Sequence, residues 1–123
     1  MTRVLIVEDQ ADIRDLIRMS LEVQGYEIHE ASHGAAGLQM AQALQPDVML
    51  LDVMMPGELD GLQVCQRIKA DPALAHIKIV LLTARGQVRD LDAGAAAGAD
   101  EYLVKPFSPL TLLDIVEQLV SQT

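Results

Sequence analysis

Four short runs in this chain end on side chains able to do chemistry. Val4 to Val7 is followed by Glu8 and Asp9, Val48 to Leu51 by Asp52, Ile77 to Leu82 by Thr83 and Ala84, and Glu101 to Val104 by Lys105. Carboxylates are the hard oxygen ligands that Mg2+ and Ca2+ prefer, and an aspartate can also serve as a nucleophile that carries a phosphoryl group. Two carboxylates about 4 Å apart repel by about 4 kcal/mol at an effective dielectric of 20. Three of them in one pocket therefore need a cation, or one must keep its proton.

Whether these groups meet depends on the elements that carry them. Val48 to Leu51 is a continuous apolar run, the pattern of a strand buried on both faces of a parallel sheet. Pro56 forbids that strand to continue. Tyr26 to Ala31 alternates apolar with polar, which suits an edge strand. Ile13, Leu16, Ile17 and Leu21 recur at helical spacing up to Gly25, with Glu8, Asp9 and Asp12 as candidate first-turn acids. Further helices are expected over Ala35 to Leu44, Leu62 to Ala70 and, weakly, Gln87 to Ala97, where Gly94 costs about 1 kcal/mol and Gly98 can cap. Ser108 and Pro109 open a last helix whose apolar stripe is Leu112, Leu113, Val116, Leu119 and Val120. Strands alternating with helices predict one doubly wound, parallel α/β domain over residues 1–123. In such a sheet every strand's carboxyl end lies on one rim, so Glu8, Asp9, Asp52, Thr83 and Lys105 can converge.

Composition narrows the function classes. The net charge is -9, from 18 acids against 9 Lys and Arg, which opposes nonspecific binding to nucleic acid. One Phe, two Tyr and no Trp leave little for stacking bases or a flavin. No apolar run approaches the roughly 20 residues of a membrane span, and no secretory leader is visible. The single cysteine, Cys65, fits a reducing cytoplasm and reads as a small buried apolar side chain. A cytoplasmic location is expected.

The segments Val4 to Asp9, Leu50 to Gly57, Leu82 to Ala84 and Gly98 to Phe107, in that order, resemble the receiver domain of bacterial two-component response regulators, of the single-domain, chemotaxis-regulator type. The resemblance runs the length of the chain. It implies a flavodoxin-like, five-stranded sheet in the order 2-1-3-4-5 with five helices. It further implies that Asp52 takes a phosphoryl group from the phosphohistidine of a sensor histidine kinase or phosphotransfer protein. Mg2+ would be held by Glu8, Asp9, Asp52 and the backbone carbonyl of Met54. Lys105 would pair with the acids and then with the phosphoryl oxygens, and Thr83, with Ala84 beside it, would bind the phosphoryl group. Thr83 and Tyr102 would form a switch reporting to the face built from the fourth helix, fifth strand and fifth helix. The Lys105-Pro106 bond is expected to be cis. The loop at Gly57 to Gly61 is one residue longer than the family's usual pattern.

Read singly, several of these residues have ordinary explanations. Glu8 and Asp9 alone would be helix-start acids, Tyr102 a packed strand aromatic and Phe107 a core plug. His29, His33 and His76 share no metal-ligand spacing and read as solvated, while Met19, Met40, Met49, Met54 and Met55 read as packing. A phosphatase of the haloacid-dehalogenase class also uses an aspartate and Mg2+, but needs a second aspartate where Met54 stands. A flavodoxin-like cofactor carrier lacks its phosphate loop and aromatics, and a degenerate docking module would not keep the acids, threonine and lysine. The expected protein is thus a signalling switch, not an enzyme beyond slow self-dephosphorylation. Its output is expected to come from a downstream protein target, or from a larger protein of which the chain is a piece. No nucleic-acid or membrane contact is expected of the chain itself, which would be a monomer or a weak phosphorylation-dependent dimer.

Overall fold

The structure is a computed structural model that describes residues 1–55, 57–84 and 95–121. Its elements follow one another as β1 (Arg3–Val7), α1 (Ala11–Glu22), β2 (Glu27–Ala31), α2 (Gly34–Leu44), β3 (Val48–Asp52), α3 (Gly61–Ala70), β4 (Lys78–Ala84), β5 (Glu101–Lys105) and a C-terminal helix (Pro109–Ser121). All four strand pairings are parallel, and the sheet order is β2-β1-β3-β4-β5. The alternating strand β2 is at an edge, and β3 is buried along its whole length.

Period-two alternation sends successive side chains to opposite faces, and the sheet has a separate core on each. Val4, Ile6, Val48, Leu50, Val80, Leu82 and Leu103 pack against Ile17 and Leu21 of α1 and Leu112, Val116 and Leu119 of the C-terminal helix. Leu5, Val7, Met49, Leu51, Ile79 and Leu81 pack against Ala41 of α2, against Val64, Cys65 and Ile68 of α3, and against Ala97. Cys65 is the packing residue expected; its thiol donates to the Ala97 carbonyl at 3.5 Å, and burial pushes its pKa up to about 11.

The expected helix over 87–97 lies outside the described residues as far as Gly94; Ala95–Ala97 is helical and Gly98, at φ +92°, ends it. Lys69 and Asp100 anchor that end. The Lys69 ammonium lies 2.9 Å from Asp100 Oδ2, which also accepts from the Ile79 amide at 2.8 Å. At the C-terminal helix, Ser108 Oγ accepts from the Thr111 amide, so Ser108 caps it as expected. The Lys105-Pro106 bond is cis.

Several expectations need correcting. Helix α1 starts at Ala11, with Gln10 at its N-cap, so Glu8 and Asp9 precede the helix and only Asp12 is in its first turn. Met49 and Met55 are core residues, but Met19 and Met54 are 56% and 61% exposed. His29 is half-buried and 2.9 Å from Glu27, instead of free in solvent; His33 and His76 are exposed as expected, and His33 also caps α2 by accepting from the Ala36 amide. Phe107 packs against the edge of the α1-side core without being fully buried.

The loop between β3 and α3 is exposed at Gly57 and Glu58 and returns at Leu59, which packs on the second core. Pro56 lies outside the described residues. Two glycines seat the return. A Cβ on Gly34 would come 2.3 Å from the Leu59 carbonyl oxygen, and one on Gly61 would come 2.1 Å from that of Asp52. Backbone cannot yield as a flexible side chain does. Gly61→Ala is therefore expected to lower stability by about 3 kcal/mol, at the top of the usual overpacking range, as measured by urea unfolding. An unfolding midpoint equal to wild type would show that the Asp52 backbone has room to move.

Candidate functional site: an acidic pocket at the strand ends

The register explains which residues meet. Val7 pairs with Leu51, so one step further places Glu8 beside Asp52. Ile6 and Leu50 point to the α1 side, and alternation carries Glu8 and Asp52 to that side as well. Ala84 pairs with Lys105, two residues above the level at which Asp52 pairs with Leu82. Two residues of strand are about 6.6 Å, and a lysine side chain is long enough to reach back down. Its ammonium lies 3.0 Å from Glu8 Oε2 and 3.3 Å from Asp52 Oδ1.

Glu8 is 0% exposed and Asp52 4%, and a buried carboxylate is tolerable only with partners. Glu8 accepts from the Gln10 amide at 3.3 Å and from Lys105; Asp52 accepts from the Met54 amide at 3.2 Å and from Lys105. Asp9, which is exposed, completes the cluster: Glu8, Asp9 and Asp52 can each offer an oxygen within 4.8 Å of the others. Three carboxylates against one ammonium leave two negative charges uncompensated when all are ionised. A divalent cation matches that deficit, and all-oxygen donors fit Mg2+ or Ca2+. Adjoining the cluster is a cavity of about 220 Å3 lined by Asp9, Gln10, Asp52, Met54, Ala84 and Lys105. At about 30 Å3 per water, it has room for a phosphoryl group with several waters.

Thr83 is 2% exposed at the end of β4. It belongs to the opposite face, because it follows Leu82 and shares the parity of Leu81. Leu81 pairs with Tyr102, which packs against the α2–α3 core. Thr83 and Tyr102 are thus on one face, while Glu8, Asp52, Ala84 and Lys105 belong to the other. Strand-end reasoning reaches Glu8, Asp52, Thr83, Ala84 and Lys105, while Tyr102 is expected only from the family resemblance. It did not find Gln10, whose amide holds Glu8, nor Arg14, whose guanidinium donates to the Glu8 carbonyl at 2.7 Å. Neither has a side-chain type that marks it in sequence.

Charge crowding has a measurable consequence. Burial, and then Glu8, push the Asp52 carboxyl up from 3.8 to about 7, against the opposing pull of Lys105. The folded protein then holds this proton more tightly than the unfolded chain does. Without divalent cations, the contribution is fully present below about pH 4 and is lost as pH rises through about 7. Wild type should lose on the order of 1–4 kcal/mol more than Asp52→Asn across that window, by denaturant titrations in chelator. Equal losses in both proteins would place the proton elsewhere.

Comparison with known proteins agrees with this geometry. Residues 4–117 match the family described as response regulator receiver domain. The chain is 42% identical over 123 residues to the DNA-binding dual master transcriptional regulator RpaA of Synechocystis, covering 100% of this chain and 51% of the relative. It is 41% identical over 119 residues to the transcriptional regulatory protein ResD of Bacillus subtilis, covering 97% and 48%. The chain thus spans about half the length of these curated relatives. Among solved structures, the signal receiver domain of a signal transduction histidine kinase from Syntrophus aciditrophicus superposes with a TM-score of 0.92 at 31% identity, covering 100% of this chain and 92% of that one. Chemotaxis response regulator CheY4 of Vibrio cholerae gives 0.89 at 33%, covering 97% and 98%. With the strand order, the acid cluster and the lysine in place, the chain belongs to the response regulator receiver domain family of two-component signalling.

Proposed function

We propose that the chain is a phosphoacceptor switch in which Asp52 receives a phosphoryl group from a phosphohistidine. The observation that carries this is the Lys105 ammonium shared between Glu8 and Asp52 beside a cavity that Asp9 also lines. A carboxylate oxygen of Asp52 attacks the donor phosphorus, the P–N bond breaks, and the donor imidazole leaves and takes up a proton. The Lys105 ammonium is placed to follow the charge from carboxylate to phosphoryl oxygens. Glu8, Asp9, Asp52 and the Met54 carbonyl would hold Mg2+. The ion, when bound, neutralises charge on the transferring group.

The donor must bring its histidine to Asp52 and so must cover part of the rim. An apolar groove of about 260 Å3, lined by Ile13, Leu16, Pro106 and Phe107, shares Ala84 and Lys105 with the acidic cavity and suits a kinase or phosphotransfer protein. Thr83, with Ala84 beside it, would bind the phosphoryl group at the rim, and Thr83 and Tyr102 would relay the change to the face of the fourth helix, β5 and the C-terminal helix for a downstream protein target. Slow loss of the phosphoryl group to water would time the signal and is not metabolic catalysis. Among the described residues no helix is long and apolar enough to cross a membrane, which is compatible with the cytoplasmic site of such signalling.

Incubation with a small acyl phosphate and Mg2+, followed by intact mass measurement, tests the reading. One phosphoryl adduct is expected, absent in Asp52→Asn and absent with chelator. Lys105→Ala should slow its formation by roughly 100-fold, the usual cost of removing one placed charge donor. An adduct that persists in Asp52→Asn, or turnover of generic phosphomonoesters, would overturn the assignment.

A further inference from the structure

Arg14 lies on α1, away from the pocket carboxylates, yet its contacts converge on the short turn that carries two of them. Its Nη1 donates to the Glu8 carbonyl at 2.7 Å, and its own amide donates to the Gln10 carbonyl at 3.0 Å. The Gln10 amide in turn donates to Glu8 Oε1 at 3.3 Å. The Arg14 side chain therefore holds the Glu8 end of residues 8–10, while the first backbone bond of α1 holds the Gln10 end, with Asp9 between. The Glu8 amide is held from the other side by the Ala31 carbonyl at 3.1 Å. Arg14 Nε lies 3.4 Å from Glu30 Oε1, so a single guanidinium joins α1, the end of β1 and the edge strand β2.

We propose that Arg14 is a positioning residue of the acidic pocket, acting through the Glu8 carbonyl to set the peptide from which Glu8 and Asp9 reach for a cation. This rests on the phosphoacceptor reading above. The Glu8–Asp9 peptide plane determines where both side chains start, and Arg14 grips its oxygen. Two acceptors are met by two different nitrogens of one planar fork, which a lysine cannot reproduce. The helix itself does not need this grip, because Ile17 and Leu21 already fix α1 to the core. Groups that orient ligands from outside typically change metal affinity by 10–100-fold when removed.

In the full chain, Arg14→Lys and Arg14→Met should raise the Mg2+ concentration giving half-maximal Asp52 phosphorylation by roughly 10-fold. The rate at saturating Mg2+ should stay within about twofold of wild type, because Asp52 and Lys105 are untouched. Calorimetric binding of Mn2+ should weaken in parallel without any phosphodonor. Amide exchange at Glu8, Asp9 and Gln10 should quicken while β3 stays protected. Arg18→Lys is the control: among the described residues the Arg18 guanidinium pairs with Asp15, Glu22 and Glu30 and not with residues 8–10, and it should move none of these. Unchanged half-saturation and Mn2+ affinity in both Arg14 variants, or an equal change in Arg18→Lys, would overturn the positioning role. Should wild type itself take no phosphoryl group and bind no cation, the phosphoacceptor reading fails and the proposal falls with it.

Discussion

The organising constraint of this molecule is a lysine ammonium held among carboxylates that burial would otherwise make untenable. Glu8 is wholly buried, Asp52 nearly so, and both depend on Lys105. Removing a carboxylate from water costs several kcal/mol unless its charge and hydrogen bonds are met. The backbone answers part of this cost, through the amides of Gln10 and Met54. Lys105 answers another part, and what remains raises Asp52 to about 7. The rest of the fold can be seen as the scaffold that forces this crowding.

A parallel sheet is well suited to that task, because it stacks strand ends at one rim without linking them in sequence. The outer layers then secure the rim. Helix α3 begins against the Asp52 carbonyl at Gly61, where a Cβ would not fit. The Asp60 and Gln63 capping box fixes the start of that helix. Alternation supplies a second property. Glu8, Asp52 and Lys105 belong to the α1 face and Thr83 to the α2–α3 face, so neighbouring strand ends on one rim present side chains to both sides of the sheet.

Much of this was legible in the sequence, for a physical reason. A strand buried along its whole length is a continuous apolar run, and a carboxylate ending such a run is conspicuous, as Asp52 is at the end of β3. Ser108-Pro109 was legible because caps are local chemistry. The start of α1 was misjudged because acids are common both in first turns and in metal-binding turns, and spacing cannot separate the two. Met19 and Met54 were misjudged because methionine's hydrophobicity carries no information about which face of an element it occupies. His33 escaped notice as a cap because its ring nitrogen does the work usually done by a short hydroxyl or carboxylate. Arg14 and the Lys69–Asp100 pair were invisible, since long-range contacts of solvent-type residues leave no periodic trace.

The electrostatic deficit also sets what the pocket can take up. With three carboxylates and one ammonium, the ionised pocket carries two uncompensated negative charges: one proton removes half of that deficit, and one divalent cation removes all of it. A second lysine in place of Asp9 would set two carboxylates against two ammoniums, and such a pocket would have no charge deficit left for a divalent ion to meet.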